Sequence, residues 1–169
     1  ADFRAMLDRR AKREPLQYIV GHAPFRYLDL KVGPGVFIPR PETETVVQAG
    51  MDWLTANGLD HPRVVDLCAG SGAIGLSVAT ELPGSRVWAV ELSRDTAQWT
   101  RRNLMEASRS HPSIASNYQL EIADATALTT LAHLDGAIDI VISNPPYVPL
   151  TQVPQQPEVR DHDPELALY

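Results

Sequence analysis

The stretch Val64-Val65-Asp66-Leu67-Cys68-Ala69-Gly70-Ser71-Gly72-Ala73-Ile74-Gly75 constrains the fold more than any other part of the chain. A short apolar run leads into a glycine-rich turn and then into a helical pattern. Gly70, Gly72 and Gly75 match G-x-G-x-x-G, in which glycines let backbone approach a ligand closely and let the helix pack on the strand. Such a unit needs a parallel sheet with helical crossovers around it. The following residues keep that rhythm: strands are expected at 63–67, 86–91, 118–123 and 137–143, and helices at 72–82 and 93–107 with a weaker one at 125–133. The fold class implied is α/β, a doubly wound, mostly parallel sheet. Residues 111–117 read as a polar loop and 151–164 as a proline-rich, extended segment.

Upstream, residues 2–13 read as a helix with Phe3, Met6 and Leu7 on one face, too short to stand alone and so the tail of a longer segment. Residues 14–18 break it. Leu28, Leu30 and Val32 alternate within a β-like stretch at 25–32, Gly33-Pro34-Gly35 turns the chain, and Val36-Phe37-Ile38 reads as a second short strand. Pro39 to Glu44 then leads into a helix carrying Val46, Val47, Gly50, Met51 and Leu54 at helical spacing. The chain thus divides into 1–41, a short helix with a β-hairpin connector, and 42–169, the sheet domain. The run at 137–143 is apolar enough to be covered on both faces and flanked by neighbours. Because the chain stops soon after it, the sheet is expected to be incomplete at the C-terminus and the protein to continue past Tyr169.

At 169 residues, 44% hydrophobic and 21% charged, the composition is that of a globular domain with a sizeable core. No apolar run approaches membrane-spanning length. Cys68 is the only cysteine and the five histidines are scattered, so the expectations are a reducing, cytoplasmic compartment, no disulfide and no metal site. Residues 1–40 hold eight Lys/Arg against four Asp/Glu, whereas residues 41–169 hold seven against seventeen. An acidic sheet domain argues against duplex nucleic acid as the main substrate, since phosphate contacts dominate such affinity. A monomer is expected.

Three acids end successive strands. Glu91, nineteen residues after Gly72, is placed to accept hydrogen bonds from ribose hydroxyls. Asp66, just before the turn, suits an ammonium group and would be poorly placed beside a pyrophosphate. Asp124 suits an adenine amino group, although each acid alone also reads as an ordinary strand-end or turn residue. Of the nucleoside cofactors, S-adenosylmethionine, which carries an ammonium and no phosphate, is the better fit. After the fourth strand comes Asn144-Pro145-Pro146-Tyr147. Its prolines remove two backbone donors, leaving the Asn144 and Pro145 carbonyls and the Asn144 side-chain oxygen as acceptors beside the flat face of Tyr147. That combination suits a planar NH2 group.

In that order, the glycine loop, Glu91, Asp124 and Asn144-Pro145-Pro146-Tyr147 resemble class I S-adenosylmethionine-dependent methyltransferases acting on planar nitrogen. Two further segments, Arg13-Glu14-Pro15-Leu16-Gln17-Tyr18-Ile19-Val20-Gly21 and Gly35-Val36-Phe37-Ile38-Pro39-Arg40-Pro41-Glu42-Thr43-Glu44, are similar to the HemK/PrmC family. The resemblance implies a Rossmann-like fold behind the end of an N-terminal substrate-binding helical domain. It implies methylation, in bacteria, of the glutamine side-chain amide (N5) in the Gly-Gly-Gln motif of peptide chain release factors, with S-adenosylhomocysteine as product and no direct need for nucleic acid. It implies cofactor contacts from Asp66, Cys68, Ala69, Gly70, Ser71, Gly72, Glu91, Asp124, Ala125 and Asn144, and catalysis by Asn144, Pro145, Pro146 and Tyr147. Other readings are a methyltransferase for a ribosomal-protein glutamine, one for a nucleic-acid exocyclic amine, and a non-catalytic nucleoside-binding fragment. One departure from the family pattern is Cys68-Ala69, where the turn usually starts with glycine. Both residues are small, so the turn is expected to survive with Cys68 packed in it.

Overall fold

The computed structural model describes residues 2–169. Helix α1 (Phe3–Ala11) is capped by the Asp2 carboxylate, which accepts from the Arg4 N–H at 3.1 Å. A short α2 (Leu16–Val20), in the stretch expected only to break the first helix, ends on Gly21 in the left-handed conformation. Strands β1 (His22–Phe25) and β2 (Leu28–Lys31) pair antiparallel around Arg26-Tyr27. The hairpin therefore lies earlier than the sequence pattern predicts, and Val36-Phe37-Ile38 forms no strand. Pro34 and Pro39 flank that stretch and lack donors, and the Tyr18 hydroxyl donates to the Val36 carbonyl at 2.5 Å. Val36 and Ile38 are buried all the same, in a small core with Tyr18, Ala23 and Val32. Arg26, at φ 53, docks the hairpin turn: its guanidinium bridges both Glu81 carboxylate oxygens at 2.7 Å.

Helix α3 (Pro41–Ala56) starts with proline at its first position and Glu42 and Glu44 in its first turn, a favourable pairing with the helix dipole. Then follow β3 (Arg63–Leu67), α4 (Ala73–Glu81), β4 (Arg86–Glu91), α5 (Thr96–Ser110), α6 (Ile114–Asn117), β5 (Tyr118–Ile122), a 3₁₀ turn (Ala132–Leu134), β6 (Ile140–Ser143), α7 (Pro157–Arg160) and α8 (Glu165–Leu168). The expected polar loop at 111–117 thus contains a helical turn that buries Ile114, and the expected extended segment at 151–164 contains α7, with α8 following directly after it. No helix among the described residues is long and apolar enough to cross a membrane.

All four sheet strands run parallel, in the order β5-β4-β3-β6. Alternate residues supply two cores. On one face Val64, Val87, Ala89 and Ile142 meet Val47, Met51 and Leu54 of α3, Ile74, Leu76 and Val78 of α4, and Ala107 of α5. On the other, Val65, Trp88 and Val90 meet Leu131, Leu134 and Ile138. That second cover is irregular, where a weak helix was expected at 125–133. Local bonds compete with the helix there: Asp124 accepts from both the Thr126 N–H (2.8 Å) and hydroxyl (2.7 Å), and Leu131 takes φ 54. Strand β6 is an edge strand among the described residues, with Val141 56% exposed, in keeping with an incomplete sheet.

Helix α4 lies unusually close to the sheet because of Gly75. A Cβ there would sit 3.0 Å from Asp66 Oδ2, Tyr118 Cε2 and Val87 Cγ1. Gly75→Ala gains about 1 kcal/mol of helix propensity but forces these buried neighbours apart, at about 1–3 kcal/mol. We expect a net loss of up to roughly 2 kcal/mol in urea unfolding. A net gain of about 1 kcal/mol, the helix propensity alone, would show that α4 is free to shift outward.

Candidate cofactor and acceptor site

The strand order reverses between β3 and β6, and open α/β sheets bind ligands at the carboxyl ends beside such a switch point. Here that crevice is a cavity of about 280 Å³. Its floor is the loop after β3. Gly72, at φ 85, ends the loop and starts α4; a Cβ would meet Leu76 and Thr100 side chains at 3.0 and 3.1 Å. Cys68 holds φ 62, a left-handed conformation in which a side chain costs about 1–2 kcal/mol. The turn survives the loss of its usual glycine through its ties: the Ala69 N–H donates to the Val90 carbonyl (2.9 Å), and the Gly72 N–H to the Ala69 carbonyl (2.7 Å). From α5, the Thr100 hydroxyl donates to the Gly70 carbonyl (2.7 Å) and Asn103 Nδ2 to the Ser71 carbonyl (2.9 Å). Burial and the nearby Glu91 and Asp66 charges push the Cys68 thiol up, which suits a packed turn residue and not a thiolate nucleophile.

Glu91 closes β4 against this loop. One carboxylate oxygen accepts from the Gly70 N–H and the other from the Ser93 N–H, both at 2.9 Å. Each oxygen keeps a lone pair for a hydroxyl group in the cavity. Asp124 is exposed at the cavity edge, and its two bonds from Thr126 hold its carboxyl below the usual range. Both bonds go to Oδ1, leaving Oδ2 as acceptor.

Asp66 is placed differently. It is fully buried beneath the turn, outside the cavity lining, and Oδ2 accepts from the Gly75 N–H at 2.9 Å. Oδ1 has no partner among the described residues, nor has the nearby buried Tyr118 hydroxyl. Burial pushes the Asp66 carboxyl up to about 7; the Gly75 bond opposes this and the Glu91 charge adds to it. Gly72 also lies outside the lining.

At the other end of the cavity stand Asn144, Pro145, Pro146 and Tyr147. The Ser143 hydroxyl ties the end of β6 to the Leu67 carbonyl (2.8 Å). Asn144 is half-buried, and its Nδ2 faces the hydroxyl oxygen of buried Thr43 at 3.5 Å. With the amide nitrogen turned to Thr43, Oδ1 remains as the acceptor. Tyr147 is 79% exposed at the rim.

The cavity therefore gathers Cys68, Ala69, Gly70, Ser71, Glu91, Asp124, Ala125 and the Asn144–147 loop, and leaves Asp66 and Gly72 behind the floor. It also uses residues that sequence reasoning did not assign to it: Phe37, Pro39, Thr43, Thr126, Pro164 and Leu168 among them. Pro39 and Thr43 lie within a motif singled out for its family likeness, a usable signal. The 164–169 stretch carries no such signal.

Strand order, glycine turn and crevice define a Rossmann-like domain of the class I methyltransferase type. A METTL16 MTase domain structure shares the fold with TM-score 0.52 at 16% identity, over 70% of this chain and 47% of that one. The chain belongs to the family described as Conserved hypothetical protein 95, matched over residues 17–158, and residues 1–21 match the PrmC N-terminal domain. Its relatives include the release factor glutamine methyltransferases of Bifidobacterium longum, 80% identical over 100% of this chain, and of Streptomyces coelicolor, 54% identical over 100%. The chain spans 58% of the length of each. The HemK/PrmC resemblance is thereby borne out.

Proposed function

We propose that the protein transfers a methyl group from S-adenosylmethionine to the side-chain amide nitrogen of the glutamine in the Gly-Gly-Gln motif of peptide chain release factors, in the cytoplasm. The observation that carries this reading is one cavity with a hydroxyl- and amine-accepting end (Glu91, Asp124) and an amide-accepting end (Asn144, Pro145), in a chain 80% identical to a relative of that name. In the same reading, residues 1–41 are the end of a substrate-binding helical domain with its connector, and 42–169 belong to the catalytic domain.

The site fits the cofactor. Glu91 keeps acceptor capacity toward the cavity, Asp124 keeps Oδ2, and the small residues of the loop leave its backbone open to close approach. When bound, S-adenosylmethionine supplies an electrophilic methyl on a sulfonium. The chain's own work is on the acceptor. An amide nitrogen is a poor nucleophile because its lone pair is delocalised. Asn144 Oδ1 and the Pro145 carbonyl accept its two N–H groups, orient it and favour positive charge developing on it. Orientation of two bound reactants removes up to roughly 7–11 kcal/mol of barrier in the best cases. Tyr147 covers the amide plane and excludes water. No side-chain base is required, since the proton can leave after transfer.

The test is peptide mass spectrometry on an unmethylated release factor incubated with the full-length protein and S-adenosylmethionine. One added methyl on the Gly-Gly-Gln glutamine is expected. Cofactor binding without that methyl would overturn the substrate assignment and direct attention to ribosomal-protein and RNA acceptors.

A further inference from the structure

Part of the cavity wall comes from the far end of the chain: Pro164, Leu166, Ala167, Leu168 and Tyr169 line it. This segment has little regular structure of its own, since α7 and α8 are four residues each, so something else must hold it in place. The Leu168 carbonyl accepts from the Val148 N–H at 2.8 Å, next to Tyr147, and the Tyr169 hydroxyl donates to the Gln152 carbonyl at 3.2 Å. Both ties stay within the segment that follows Asn144. Next to the cavity wall, the segment is tied to the rest of the molecule by an ion pair: Arg40 Nη2 meets Asp163 Oδ2 at 2.6 Å, with the Asp163 side chain 1% exposed. The same guanidinium lies over the Phe37 ring, 4.6 Å from its centroid, and Phe37 lines the cavity too. Further out, Glu158 binds Arg10 (2.9 Å) and Arg13 (2.7 Å), beside α1.

We propose that Arg40 and Asp163 are positioning residues for methyl transfer: their part-buried ion pair clasps the 157–169 wall to Phe37 and so sets the shape of the acceptor end of the cavity. This rests on the methyltransferase reading above. One planar guanidinium joins two cavity walls, by charge on one side and by stacking on the other, a pairing lysine cannot reproduce in full. Asp163 immediately precedes Pro164, so releasing its carboxylate frees the wall next to Asn144-Pro145-Pro146-Tyr147. The glycine loop, held separately by Thr100, Asn103 and Glu91, does not depend on the clasp.

The experiment uses the full-length protein and the variants Arg40→Gln, Asp163→Asn, Arg40→Lys and the charge-swapped double variant Arg40→Asp/Asp163→Arg. Amide hydrogen exchange reads the clasp itself, whatever the substrate. Exchange over 157–169 is expected to quicken at least about tenfold in Arg40→Gln and Asp163→Asn, with β3, β4 and α4 unchanged. Steady-state kinetics on the release factor reads the consequence: about a tenfold or greater rise in acceptor KM, and S-adenosylhomocysteine affinity within about twofold of wild type. Arg40→Lys is expected to fall between, and the charge swap to recover part of the loss. Glu158→Gln, an accessible substitution that leaves the part-buried pair alone, should raise KM by a smaller factor. Unchanged exchange over 157–169 in folded Arg40→Gln would overturn the clasp, as would equal loss of cofactor and acceptor binding. If wild type transfers no methyl to the release factor, the functional reading fails while the exchange result still decides the clasp.

Discussion

Asn144→Ala in the full-length protein is expected to lower methyl transfer to the release factor by at least ~10²–10³-fold, the range seen when a single charge-stabilising group is removed from an active site. The S-adenosylhomocysteine dissociation constant should change little, because the loop after β3 is held by Gly70, Ser71, Glu91, Thr100 and Asn103 and not by Asn144. The reason for a large effect is specific. Asn144 Nδ2 faces Thr43 Oγ1, which turns Oδ1 outward as an acceptor. Alanine removes that acceptor and leaves the Pro145 carbonyl to orient the amide alone, so one N–H loses its partner as charge builds on nitrogen. Loss should fall mainly on kcat if the bond strengthens in the transition state. Single-turnover transfer with both ligands saturating separates this from weak binding, and near-normal turnover would refute the role given to Asn144.

A second large effect concerns Asp66 and pH. Its carboxyl is raised from 3.8 to about 7 by burial. Between those values the folded protein holds a proton that the unfolded chain has released, so stability falls as pH rises. The contribution is fully present below about pH 4 and lost as pH rises through about 7. A shift of this size corresponds to something on the order of 4 kcal/mol. Carboxylates held low by hydrogen bonds, such as Glu158, lowered to about 2 first by its own backbone N–H and then by Arg13 and Arg10, act in the opposite sense at the acid end. The measurement is therefore a difference: urea unfolding of wild type and Asp66→Asn from pH 4 to 8. Asparagine keeps an acceptor for the Gly75 N–H and cannot ionise. The variant is expected to gain on wild type steadily across that window. A constant difference would show that Asp66 titrates at an ordinary value.

Much of the architecture was readable because it is written in local periodicity. The strands at 63–67 and 86–91 and the helix after Gly72 match the observed elements to within a residue, since alternation, apolar runs and glycine turns act over a few residues. The segment at 125–133 misled for a local reason as well: side chains of Asp124, Thr126 and Thr130 bond nearby backbone and each other and deny the helix its start. The hairpin moved because two arrangements of turn and strand were available, and docking of Arg26 onto Glu81 and Glu44 chose between them.

The site divides along the same line. Glu91, the glycine loop and Asn144-Pro145-Pro146-Tyr147 could be named in advance, because each sits where a strand ends and a parallel sheet presents its ligands. Asp66 looked equivalent to Glu91 by that rule, yet one faces the cavity and the other lies buried under the turn against Gly75. Which way a strand-end side chain points depends on the packing of α4, which strand spacing does not encode. Thr43 and Arg40 sit in a motif that stood out in the sequence, but the pairing of Thr43 with Asn144, and of Arg40 with Asp163 across 123 positions, left no local pattern to read. The amino-acid order alone determined a parallel α/β sheet with a glycine turn and an Asn-Pro-Pro-Tyr loop poor in backbone donors, because these follow from backbone sterics and short-range pattern. Only the tertiary structure decided which groups share the cavity and which hold it in shape, because those contacts join distant segments through burial and charge.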